Sequence, residues 1–171
     1  NFLFINRHTV FFILGMLIVL FLSQQNNKNI RRIALFGFIF LFILLLSLYF
    51  FEYEVKGSKR WLRILSFSFQ PSEVIKPFFI ILTSWGISQS IKGKKYFLLV
   101  TFVSFLALIL LVLLQPDLGM TILIASTFFC QLFIAGLPMM LVLYGLALIL
   151  SLSVFSYFFL GHVKSRIDSF L

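Results

Sequence analysis

Charge is scarce in this chain. Asp, Glu, Lys and Arg together make up 11% of its 171 residues, where a soluble globular domain carries about 25%. A soluble enzyme is excluded on that ground. A disordered chain is excluded as well, because disorder goes with low hydrophobicity. Cysteine occurs once, at Cys130, so no disulfide scaffold can form. With no ligand set around it, Cys130 reads as a small apolar packing residue. The two histidines, His8 and His162, stand near opposite ends and give no metal-ligand spacing. No run alternates polar and apolar over the about ten residues that a membrane-spanning strand needs. No heptad pattern, phosphate-binding loop, dinucleotide fingerprint or nucleophile elbow is present.

What is present is apolar. Hydrophobic residues make up 61% of the chain, with 25 Phe, and the mean hydropathy is +1.11. These residues come in long runs. A bilayer core of about 30 Å takes about 20 helical residues per crossing, and six stretches suit it: 9–22, 33–51, 74–91, 96–114, 118–137 and 139–160. The first is short, but Phe2, Leu3, Phe4 and Ile5 extend it past Arg7. Helices are the remaining way to satisfy the backbone in lipid. The expected fold is therefore all-α: one polytopic transmembrane helical bundle over residues 1–171, with a single long connection at 52–73. Asn1 stands first, and no basic leader with a small-residue cleavage site precedes the first run. That run does not read as a signal peptide, and the chain is expected to be a fragment of a longer polytopic protein.

The connections differ in charge. Segments 23–32 and 92–95 hold Lys28, Arg31, Arg32, Lys92, Lys94 and Lys95 and no acid. The opposite set, including 52–73, 115–117 and the tail, holds all five acids among its basic residues. Short Lys/Arg-rich connections mark the cytoplasmic side, so the acid-free face is expected to be cytoplasmic and 52–73 periplasmic. Tyr49, Tyr53, Trp61 and Tyr96 fit interfacial aromatic belts. The net charge of +9 then reflects membrane lipids as partners, not nucleic acid.

Two motifs share a form: Gln70-Pro71-Ser72-Glu73 and Gln115-Pro116-Asp117. Taken alone, both are well-made helix starts. Pro suits the first helical position, and an acid there complements the helix dipole. Counting crossings puts both starts at one bilayer face. Two helix N-termini at one place present unpaired N–H groups to an anion. Lys59, Arg60 and Trp61 belong to the same face, and a lipid-borne diphosphate matches them in charge and depth. The simpler alternative for the basic run is binding to bulk anionic lipid. Acids beside a diphosphate commonly hold a divalent cation, Mg or Mn. Lys76 lies one turn into an apolar run, three residues after Glu73, on the same helix face. A charge there needs a partner or a wet cavity, and Glu73 is the obvious one. Alternatively, Lys76 snorkels outward. Pro77 is expected to kink that helix.

These residues resemble a known family. Gly57-Ser58-Lys59-Arg60-Trp61, then Gln70-Pro71-Ser72-Glu73 with Lys76, then Gln115-Pro116-Asp117-Leu118-Gly119, then Ala135-Gly136-Leu137-Pro138 are similar to the successive signatures of the SEDS (shape, elongation, division and sporulation) proteins. The order and spacing match over essentially the whole chain. Lys76-Pro77-Phe78-Phe79, Trp85 and the tail from His162 look most like the division member, in an alphaproteobacterial form. Ser58-Lys59 and Met120 depart from the commoner residues, and Lys for Arg gives up a bidentate fork.

The resemblance implies a ten-helix inner-membrane peptidoglycan glycosyltransferase, of which this chain supplies helices two to seven. The implied reaction polymerises lipid II into glycan at the periplasmic face, alongside a class B penicillin-binding transpeptidase and other divisome proteins. The implied substrates are lipid II and the undecaprenyl diphosphate-linked glycan, with no covalently bound cofactor. By the same resemblance the catalytic Asp is expected beyond Leu171. The residues carried over as substrate-binding are Lys59, Arg60, Trp61, Gln70, Ser72, Glu73, Lys76, Gln115 and Asp117. Competing readings are the elongation paralogue, a precursor flippase or transporter, and a non-catalytic divisome scaffold. A flippase needs polar residues continuing toward the cytoplasmic side, and the runs offer only Ser, Thr and Gln131 there.

Overall fold

A computed structural model describes residues 2–50, 62–64, 67–115, 117–136 and 139–159. Six helices account for nearly all of them: α1 (Phe2–Ser23), α2 (Asn27–Phe50), α3 (Pro71–Ile91), α4 (Tyr96–Leu114), α5 (Leu118–Ile134) and α6 (Met139–Phe159). The chain is thus an all-α, multi-pass membrane protein. Among the described residues, Asn27–Leu48, Pro71–Ile91 and Tyr96–Leu114 are long and apolar enough to cross a bilayer, and His8–Ser23 and Gly119–Ile134 are shorter apolar helices. The apolar runs begin later than the helices do. Helix α2 starts at Asn27, so Lys28, Arg31 and Arg32 ride on its first turns instead of in a loop. Helix α3 starts at Pro71, as the Gln-Pro motif predicts, three residues before its apolar run. A backbone hydrogen-bond ladder does not stop where lipid stops.

One local element departs from the all-helical expectation. Strands β1 (Leu62–Ile64) and β2 (Phe67–Phe69) pair antiparallel, with Leu62 opposite Phe69, Arg63 opposite Ser68 and Ile64 opposite Phe67. The alternation of each strand is three residues long, far below the length used to test for spanning strands. This hairpin leads directly into α3.

The structure divides into two units, 1–33 and 34–171. In the first, α1 exposes apolar residues on every side, Val10, Phe12, Ile13, Leu17, Val19 and Phe21 among them. A helix that is apolar all round suits a lipid environment. The turn after it is held by Gln25 N–H on the Leu22 carbonyl and by Asn29 Nδ2 on Gln25 Oε1.

In the second unit the core is aromatic. Phe79 of α3, Phe105 of α4 and Phe128 of α5 are buried. Phe105 and Phe128 stack at 4.2 Å, while Phe79 lies 6.4 and 6.2 Å from them. Leu41 and Leu45 of α2, Ile75, Leu108, Val112 and Ile124 belong to the same core. In lipid, apolar area alone does not drive helices together, so close packing must. Three glycines serve it. A Cβ at Gly86 would stand 2.1 Å from Thr101 Oγ1, one at Gly145 2.3 Å from the Phe129 ring, and one at Gly37 2.8 Å from the Phe78 ring.

Candidate functional site

Helix α3 begins as its sequence predicts. Gln70 is extended (φ −108°, ψ 108°), Pro71 occupies the first turn and Glu73 places its carboxylate there. Glu73 N–H donates to the Gln70 carbonyl at 3.1 Å. One turn on, Lys76 Nζ donates to Glu73 Oε2 at 2.5 Å. The Lys76 side chain is 19% exposed and that of Glu73 53%. The lysine is therefore drawn into the protein and answered by an acid that reaches the surface.

Helix α5 begins differently. Asp117 is its N-cap, and its Oδ1 accepts from Met120 N–H at 3.3 Å. Its carbonyl accepts from Thr121 N–H at 3.0 Å and from Thr121 Oγ1 at 2.8 Å. The expectation of two open helix N-termini facing one anion therefore needs correcting at α5. A carboxylate already occupies that end, satisfies one of its N–H groups and neutralises part of its dipole.

The two starts do meet. Gln70 Nε2 donates to Asp117 Oδ2 at 3.3 Å, across 47 residues of chain. Gln70 does not cap its own helix with its side chain and instead ties α3 to α5. One end of the unit thus gathers Gln70, Glu73, Lys76 and Asp117. Ser72 lies beside them, but its hydroxyl is sealed at 1% exposure, with no hydrogen-bond partner. Gln115 is also buried and forms the C-cap of α4, its N–H on the Leu111 and Val112 carbonyls. As placed, neither Ser72 nor Gln115 presents its side chain to an open surface. Lys59, Arg60 and Trp61 lie outside the described residues.

Of the named site residues, the described charged ones are Glu73, Lys76 and Asp117. Both oxygens of Asp117 accept hydrogen bonds and Glu73 is paired with Lys76. Among the described residues no three His, Cys, Asp or Glu side chains cluster. These carboxylates do not by themselves build a cation cage.

A second polar junction lies further along α3. Gln131 of α5 accepts from Thr83 Oγ1 at 2.7 Å, and its Nε2 donates to the Ile80 carbonyl at 3.1 Å and to Ser84 Oγ at 2.9 Å. One amide thus ties two side chains and one backbone carbonyl of α3 to α5. In the sequence Gln131 is only a polar residue in an apolar run. A lone Gln in an apolar helix was the available signal, since it must find partners within the protein.

A multi-pass helical membrane protein with polar contacts at helix ends and at the crossing of α3 with α5 is the class that fold and site define. The family model described as "Cell cycle protein", which covers FtsW, RodA and SpoVE, matches residues 1–171. The chain belongs to this family of cell cycle proteins. It is 33% identical over 156 residues to the probable peptidoglycan glycosyltransferase FtsW of Caulobacter vibrioides, covering 90% of this chain and 40% of that protein. It is 30% identical over 158 residues to the peptidoglycan glycosyltransferase MrdB of Escherichia coli, covering 90% of this chain and 42% of that protein. In fold it is similar to the crystal structure of the rod shape determining protein RodA of Thermus thermophilus, with TM-score 0.71 and 24% identity over 86% of this chain and 49% of that one. A structure of a peptidoglycan synthase complex that coordinates polymerization and crosslinking gives the same TM-score, over 95% of this chain and 49% of that one. The chain spans about two fifths of the curated relatives it matches.

Proposed function

We propose that the protein is a peptidoglycan glycosyltransferase of the division branch, polymerising lipid II at the outer leaflet of the inner membrane beside a class B penicillin-binding transpeptidase. Segment 52–73 and the end bearing Gln70 and Asp117 face the periplasm in this reading. The observation that carries it is the hydrogen bond from Gln70 to Asp117, because it unites two motifs of the family at one end of the helices. Relatives named as peptidoglycan glycosyltransferases support it.

In the proposed reaction an Asp outside these residues removes the proton from the 4-hydroxyl of the acceptor sugar. The oxygen attacks the anomeric carbon of the growing strand, the bond to the diphosphate breaks, and undecaprenyl diphosphate leaves. Lys59, Arg60 and Lys76 offset charge on the diphosphate, with Trp61 at the headgroup level. Glu73 orients Lys76. Asp117, held by Gln70, fixes the start of α5 next to that charge, and the buried Ser72 and Gln115 back this end from within the protein. A divalent cation would arrive with the diphosphate, and no step here depends on one.

The intact protein with its transpeptidase, supplied with labelled lipid II, is expected to make long glycan. Arg60→Ala and Glu73→Ala are expected to lower the rate by about 100-fold, the scale of one lost electrostatic contact in a transition state. Normal polymer from both variants would remove this site assignment. The similarity to MrdB supports the elongation branch as a second reading. Rescue of a division-depleted strain but not of a shape-depleted one selects the division branch.

A further inference from the structure

At the end of the helices away from Gln70 and Asp117, α3 to α6 leave an open groove of about 530 Å³. Ile87 and Ile91 of α3, Leu98 and Phe102 of α4, and Phe129 and Leu132 of α5 line it. Among the described residues, Ser90 is the one polar side chain in the wall. A concave apolar surface of this size is a ligand seat. On a membrane helix bundle its natural guest is hydrocarbon.

The rim of this groove is cationic. Helix α3 ends at Ile91 and α4 begins at Tyr96, with Lys92, Lys94 and Lys95 between them, all exposed. Gly93, at φ 93°, turns the chain there. Helix α4 carries no acid in its first turn, and its N-cap is Lys95 with no side-chain cap. The two helix starts at the opposite end differ, since α3 carries Glu73 and α5 is capped by Asp117. The positive dipole end of α4 therefore adds to three lysines instead of being cancelled. Ser90 and Ile91 directly precede the lysine turn and Leu98 follows it, so slot and charge are contiguous.

We propose that this groove binds a single anionic phospholipid, with one acyl chain along Ile87, Leu98, Phe102 and Phe129 and the phosphate on Lys92, Lys94 and Lys95. Basic pockets between membrane helices select anionic headgroups in this way. Charge complementarity names the guest, since an uncharged lipid would fill the slot and leave the rim unanswered. The inference needs only a membrane protein and is independent of the catalytic reading.

The test is native mass spectrometry of the intact protein released from nanodiscs of phosphatidylglycerol and phosphatidylcholine in equal parts. One phosphatidylglycerol is expected to remain bound. Replacing Lys92, Lys94 and Lys95 together by Gln is expected to weaken it about a hundredfold, at about fivefold per lysine. Ala135→Trp and Ile91→Trp fill the slot from different helices, keep every lysine, and are each expected to displace the lipid. Replacing Lys28, Arg31 and Arg32 by Gln is expected to leave it bound. The proposal is overturned if both tryptophan variants retain the lipid, if the Lys28 set matters as much as the lysine turn, if phosphatidylcholine binds equally, or if no lipid is retained.

Discussion

Asp117 does two separable jobs. It caps α5 through Met120 N–H and receives Gln70 from α3. Asn caps a helix about as well as Asp, whereas Ala costs about 1 kcal/mol. Asp117→Asn is therefore expected to melt close to the unaltered protein in detergent, and Asp117→Ala to lose about 1 kcal/mol. If glycan synthesis fails in the Asn variant while its melting holds, the charge itself serves the reaction. Equal melting losses in both variants would show that the cap is not what Asp117 contributes. The pairing of Lys76 with Glu73 was legible from their spacing of three on one helix. The hydrogen bond between Gln70 and Asp117 was legible only as a shared face, because counting crossings gives the side of the membrane but not which helices are neighbours.

At the scale of elements, two crossings hold α3 in place. Gly86 meets α4 where Thr101 Oγ1 leaves no room for a Cβ, and that hydroxyl is tied to the Phe97 carbonyl at 2.7 Å. Gly86→Ala is expected to cost about 1–3 kcal/mol from overpacking. Adding Thr101→Ala removes the offending oxygen and is expected to restore most of the loss. Unfolding of the four proteins of this cycle in detergent measures it, and simple additivity would contradict the contact. The Gln131 junction binds α3 to α5. Gln131→Leu is expected to cost about 0.6–1.7 kcal/mol, the range for hydrogen bonds between membrane helices. The Thr83 hydroxyl limits the loss, because it also reaches its own helix at the Phe79 carbonyl, 2.8 Å away. A cost above that range would mean that α5 shifts along α3 when the amide is removed.

At the scale of the whole molecule, the proposed orientation follows from Lys and Arg in short connections. In a protein whose Cys130 is replaced by Ser, a cysteine at Asn26 or Gly93 is expected to react only with a thiol reagent that enters the cytoplasm. A cysteine at Ser68 in the hairpin is expected to react from outside the inner membrane. The reverse pattern would invert the orientation and move Gln70 and Asp117 away from the proposed substrate.

The number of helices, their apolar character and the way α3 and α5 begin were all readable from residues close together in the chain. Long apolar runs, a proline in the first turn and an acid at a helix start act over a few residues, so short stretches carry them. The β1–β2 hairpin escaped notice because three alternating residues are too few to separate from chance. Which helices touch, that Gln70 of α3 reaches Asp117, that Gln131 reaches α3, and that a groove opens beside the lysine turn emerged only from the folded arrangement. Each depends on where side chains tens of residues apart fit one another's shape, as Gly86 fits Thr101, and apolar residues that look alike in a hydropathy profile differ in that respect.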